Sequence, residues 1–146
     1  MKQYNQGLSL VELIVVVAIV GILSALGAAW YQNFIREANR TSAQNALLEL
    51  ANAQEKRFIS NNGYFTANTD IPNLVATTSV AGTGMIYEKT AGNFFTTDDH
   101  YRITLAGTAN TFTFTAIASS AAQTPDTACA SITINQANQR APQGCW

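Results

Sequence analysis

The chain has 146 residues, a formal net charge of −1 and 12% charged against 47% apolar side chains. That length carries one ordinary domain and little more. With so few cations there is no basic surface to neutralise a run of phosphates, which argues against direct nucleic-acid binding.

Met1 to Gly7 is short and polar, with Lys2 as its only charge, whereas Leu8 to Ala29 is almost wholly apolar. At a rise of about 1.5 Å per residue, these roughly 22 residues suffice to cross a bilayer as a helix. Glu12 is the one ionisable residue inside the run. A carboxylate is costly in lipid, so it implies a task or a partner.

Beyond Trp30 the pattern turns amphipathic, with Ala43, Ala46, Leu47, Leu50, Ala51, Gln54 and Phe58 at spacings of three and four. This predicts a continued helix with one buried face. The first proline is Pro72, and the first clear breaker is the turn pair Asn62-Gly63. One helix over residues 9–60 would be about 75–80 Å long, more than a globular core covers. Its first half must therefore be buried in membrane or in neighbouring subunits.

Residues 64–93 are rich in Thr, Asn and Gly and read as a loop region, with a short apolar stretch at 71–75 and a strand at 85–88. Alternation then places Tyr101, Ile103 and Leu105 on one face of a strand, and Phe112, Phe114 and Ala116 on one face of the next. Residues 107–110 form the hairpin connection between them. A last alternating run, Ala130 to Asn135, adds a further antiparallel strand. The two cysteines, Cys129 and Cys145, lie close together near the C-terminus of a chain whose N-terminus looks targeted to a membrane. An oxidising compartment and one bridge follow, the alternative being two free buried thiols.

The run Gly7-Leu8-Ser9-Leu10-Val11-Glu12-Leu13-Ile14, continuing through Val15-Val16-Val17-Ala18-Ile19-Val20-Gly21-Ile22-Leu23, resembles the class III signal of type IV prepilins. In that family a prepilin peptidase cuts after the glycine and methylates the new N-terminus. The resemblance implies cleavage between Gly7 and Leu8, N-methylation of Leu8, and an assembly role for Glu12. A lone carboxylate in an apolar setting is best compensated by a fixed cation, and the α-amino group of a neighbouring subunit supplies one. Two positions depart from the pattern: Leu8 replaces the commoner phenylalanine, and Ala29 stands where many major pilins have a proline. Gly27 could loosen the helix nearby.

Asn39-Arg40-Thr41 with the Ala/Leu/Gln-rich stretch to Phe58, the turn Asn61-Asn62-Gly63-Tyr64, and the ending Asp126-Thr127-Ala128-Cys129 through Gly144-Cys145-Trp146 resemble PilE-like minor pilins. In pilins the cysteine pair staples the last strand region back to the sheet. Trp146 is expected to cap the apolar sheet face. An ordinary secretory signal, cleaved near Gly27-Ala28-Ala29, would leave Glu12 without a role and remove half of an unbroken helix. A plain membrane anchor gives no reason for Gly7 and Glu12 at their spacing.

Elsewhere, Asp98-Asp99-His100 is a superficial acid and histidine cluster that a turn before the Tyr101 strand explains, so no catalytic residue and no metal ligand is assigned. Gly82-Thr83-Gly84 lacks the flanking pattern of a phosphate loop. The expectation is an α+β type IV pilin fold: a long N-terminal helix on a small antiparallel sheet, with a C-terminal disulfide-bonded loop. Residues 1–7 would be the leader, 8–30 the apolar half of the helix and 31–146 the globular domain.

The implied role is that of a structural subunit, a minor pilin of a filament used for adhesion, twitching motility or DNA uptake, without enzymatic activity or cofactor. Alternatives are a major pilin, a type II secretion pseudopilin or a membrane-anchored ligand-binding module. Implied partners are other pilin subunits, the prepilin peptidase, the inner membrane and the pilus assembly machinery. Implied locations are the bacterial inner membrane and then the extracellular filament.

Overall fold

The computed structural model describes residues 9–75, 84 and 86–146. It divides into two compact units, one ending at Ile35 and the other Arg36–Trp146. A single helix, α1 (Leu10–Asn61), runs through both, as the absence of any early proline allows. It ends where Asn62 adopts a left-handed conformation at φ 53°, a conformation that asparagine tolerates at a helix C-terminus.

Six antiparallel strands follow: β1 (Ile86–Thr90), β2 (Asn93–Thr96), β3 (Tyr101–Thr108), β4 (Thr111–Ala118), β5 (Ser131–Asn135) and β6 (Arg140–Ala141). They form one meander in sequence order. The predicted alternation on β3 and β4 is realised. Ile103 faces Ala116 and Leu105 faces Phe114 across the pair, and Ile132 and Ile134 of β5 face Ala116 and Phe114 in turn. These side chains bury against the α1 face formed by Ala43, Ala46, Leu47 and Leu50. Alanine at three of the positions along that face, Ala43, Ala46 and Ala51, keeps the helix surface low in the shared core.

The expected loop over 64–93 is more structured than its composition implies. Residues 76–83 and Met85 lie outside the described residues, but Asn68–Asn73 forms a 3₁₀ turn and the strand near 85–88 extends to Thr90. β2 is an addition. Its four residues, Asn93 to Thr96, put the two phenylalanines next to each other in sequence, so no alternation of apolar and polar residues shows. The two-residue β6 carries no periodic signal at all.

The segment after α1 is anchored at definite points. Tyr64 N donates to Ala109 O at 2.9 Å, and Leu105 N donates to Asn68 Oδ1 at 2.6 Å. β2 pairs with β3 only at Phe94 and Phe95, so this asparagine takes the place of a missing strand beside Leu105. Gly107 sits where an added Cβ would fall 2.3 Å from Thr111 O, so glycine is required for the close pairing of the end of β3 with the start of β4. At the C-terminus, Cys129 and Cys145 form the expected disulfide, with Cα atoms 5.6 Å apart. Trp146 packs half-buried against the core.

Candidate assembly site

Glu12 lies in the first turn of α1, where a carboxylate is favoured by the unsatisfied N–H groups of a helix start. Around it Leu10, Val11, Leu13, Ile14, Val15, Val16 and Val17 are all exposed. An 18-residue stretch of this helix has a mean hydropathy of 2.7, long and apolar enough to cross a membrane. Among the described residues Glu12 has no hydrogen-bond or ion-pair partner. Gly7 and Leu8, the expected cleavage and methylation positions, lie outside the described residues.

The chemistry-bearing side chains of the sheet end are engaged in folding. Asp98 accepts from the Thr96 hydroxyl and from His100 N, and His100 Nδ1 lies 2.6 Å from Ser120 Oγ. Asp99, in a left-handed turn position at φ 60°, pairs with Lys89 and accepts from Tyr87 Oη at 2.6 Å. Burial raises the carboxyl of Asp99, but the hydrogen bonds from Lys89 and Tyr87 outweigh it and hold the group below its ordinary value. Burial, reinforced by that acceptor, pushes the Tyr87 phenol up to about 12. Among the described residues no cluster of three His, Cys, Asp or Glu forms a metal site.

Two polar contacts that periodicity does not reveal tie α1 to the rest of its unit. Gln54 is fully buried; its Nε2 donates to Phe65 O and its Oε1 accepts from Phe65 N, both at 2.9 Å. Its place on the buried face was legible from spacing, its role was not. The second contact centres on Gln123, in the loop between β4 and β5. It accepts from Asn39 Nδ2 at 3.3 Å, and its Nε2 donates to Tyr101 Oη at 2.8 Å and to Asp126 Oδ2 at 3.2 Å. Arg40 completes it with an ion pair to Asp126 at 2.7 Å. A glutamine in a loop of small polar residues gives no sequence signal for this. Burial raises the Tyr101 phenol within the network.

Comparison with known proteins bears on both units. Residues 2–28 match a family model described as the prokaryotic N-terminal methylation motif. Residues 29–133 match one described as type IV minor pilin ComP, DNA uptake sequence receptor. Among relatives, fimbrial protein EcpC of Eikenella corrodens is 31% identical over 80 residues, covering 53% of this chain and 50% of the relative. The type IV major fimbrial protein FimA of Dichelobacter nodosus is 36% identical over 66 residues, covering 38% and 41%. The chain thus spans half or less of the length of these relatives. The second family match takes in most of the chain, from the end of the apolar run to β5, and with the long helix, the antiparallel sheet and the disulfide-closed C-terminus it shows that this chain belongs to the type IV minor pilin ComP family.

Proposed function

We propose that this chain is a minor structural subunit of a type IV pilus, anchored by its apolar helix in the inner membrane and later incorporated into the filament. The carrying observation is Glu12, a carboxylate without a partner among the described residues, amid exposed apolar side chains at the start of a membrane-length helix. In this reading residues 1–7 are a leader cut from Leu8 by the prepilin peptidase, residues 8–30 are the membrane and filament-core half of the helix, and 31–146 are the globular domain. The methylated amine of a neighbouring Leu8 then neutralises Glu12 and sets axial register between subunits. The role is one of assembly through other pilin subunits and the pilus machinery, without catalysis. Support comes from the match of residues 2–28 to the methylation motif and from the fimbrial relatives.

The test is a pair of measurements on a Glu12→Val strain. Membrane-fraction abundance should stay normal, because an aliphatic side chain favours the bilayer. Recovery in sheared filaments should fall sharply. Equal incorporation of mutant and wild type would remove Glu12 from assembly.

A second reading, direct reception of DNA by the globular domain, is favoured by the description of the matched family. Residues 36–146 carry seven Lys or Arg against eight Asp or Glu, so contact would rest on local cations such as Arg102, exposed on the outer sheet face opposite Phe95 and Ile117. Duplex DNA binding that weakens steeply with salt would support this. No retention at low salt would exclude it.

A further inference from the structure

The outer end of the apolar helix segment carries a group of side chains that the assembly reading does not use. Trp30, Tyr31 and Phe34 are 80%, 66% and 67% exposed. At about 100° per residue they fall within one third of the helix circumference, with Gln32 and Asn33 making up the rest of the turn. Large aromatic rings beside carboxamides make neither a hydrocarbon-facing surface nor an aqueous one. They match the headgroup region of a bilayer, where an indole N–H and a phenol O–H stay hydrated while the rings sit among glycerol and upper acyl groups.

Distance along the helix agrees. No charged residue occurs between Glu12 and Arg36. From Glu12 to Trp30 the rise is about 27 Å, and to Phe34 about 33 Å, bracketing a hydrocarbon core of about 30 Å. Placing Trp30, Tyr31 and Phe34 at one boundary of the hydrocarbon puts Glu12 at the other. A carboxylate at that boundary remains solvated, which removes the cost of holding it in lipid before any partner amine arrives.

We infer that Trp30, Tyr31 and Phe34 form an interfacial belt that docks into the lipid headgroup region and sets the depth of the subunit in the membrane, holding Glu12 at the opposite boundary until assembly. The inference rests on the membrane-anchored reading above. It assigns the belt to lipid rather than to contact with a second copy of the chain.

Depth-dependent quenching tests it. The full chain carrying Trp146→Phe, with Trp30 as sole emitter, is reconstituted into phosphatidylcholine vesicles bearing a nitroxide on the headgroup or bromines at shallow or deep acyl positions. The Trp30→Phe chain, in which Trp146 alone emits, supplies the background and allows the same result to be extracted from the unmodified chain. Quenching of Trp30 should be strongest from the headgroup and shallow labels. Tyr31→Leu with Phe34→Leu should shift the strongest quenching to the deep bromines.

Strongest quenching by deep bromines in the unsubstituted belt, or an unchanged depth in the double variant, would overturn the belt while leaving the anchor intact. So would a chain that floats with the vesicles yet shows no quenching. A chain that does not float with the vesicles would overturn the anchored reading itself, and the belt with it.

Discussion

Gln54 illustrates how much one buried carboxamide decides in this fold. It satisfies both the N–H and the C=O of Phe65, and so directs the chain leaving α1 back along the helix. Gln54→Ala removes both bonds and should cost about 1–3 kcal/mol, the range for stranding buried polar groups. Urea unfolding of residues 36–146 measures this, and an unchanged midpoint would refute the role. Tyr87 makes a prediction in pH. Its phenol titrates near 10.0 when unperturbed and is held to about 12 in the fold. Because the native state keeps the proton longer, the associated stability is whole below pH 10 and is lost as pH rises towards 12. Tyr87→Phe should flatten the fall in unfolding midpoint over that window. Asp99 works in the opposite direction: its carboxyl is lowered, so its contribution is present above the ordinary carboxylate range and is lost on acidification. With its side chain 38% exposed, solvent screening keeps that contribution small.

Among the elements, the connection from β4 to β5 and the C-terminal segment are held by two devices of different kind. The disulfide closes a separation of 16 residues, for which chain entropy gives roughly 3 kcal/mol. The Asn39, Arg40, Gln123 and Asp126 network binds the same connection to α1 through hydrogen bonds. Replacing both Cys129 and Cys145 with serine should lower stability by about 2–5 kcal/mol. Hydrogen exchange should rise first in residues 140–146, where β6 is only two residues long and Gln44 Nε2 donates to Cys145 O at 2.6 Å from the helix. Protection near Gln123 should persist. Simultaneous loss of both regions would mean that the polar network does not hold the loop unaided.

For the molecule as a whole, the long helix serves two settings with one surface. Its later part buries Ala43, Ala46, Leu47 and Leu50 in the domain core, while its first part exposes leucine, isoleucine and valine that only lipid or other subunits can cover. The proposed leader would have to leave before that change of setting, since the amine proposed to meet Glu12 exists only once Leu8 is the N-terminus. In the proposed scheme Gly7, lacking a Cβ, would let a peptidase approach the scissile bond closely. Gly7→Val should therefore leave the leader attached, read by intact mass as a chain that retains residues 1–7 and gains no methyl group. Normal maturation and filament entry of Gly7→Val would count against the processing scheme.

Much of this architecture was written in local pattern. Hydropathy from Leu8 to Ala29, the spacing of three and four through Leu50, and the alternation on β3, β4 and β5 each follow from a periodicity that burial imposes on neighbouring residues. The Gly7 to Glu12 run pointed to the family for the same reason: its information is contiguous. What the tertiary structure alone decided is non-local. Gln123 meets Asn39 across 84 positions and Asn68 meets Leu105 across 37, and no local pattern encodes such a partner. β2 and β6 form because a neighbouring strand offers a ladder, not because four or two residues prefer it. The pairing of Asp99 with Lys89 and Tyr87, which turned an apparent acid cluster into a fold contact, likewise depends on two strands having already met.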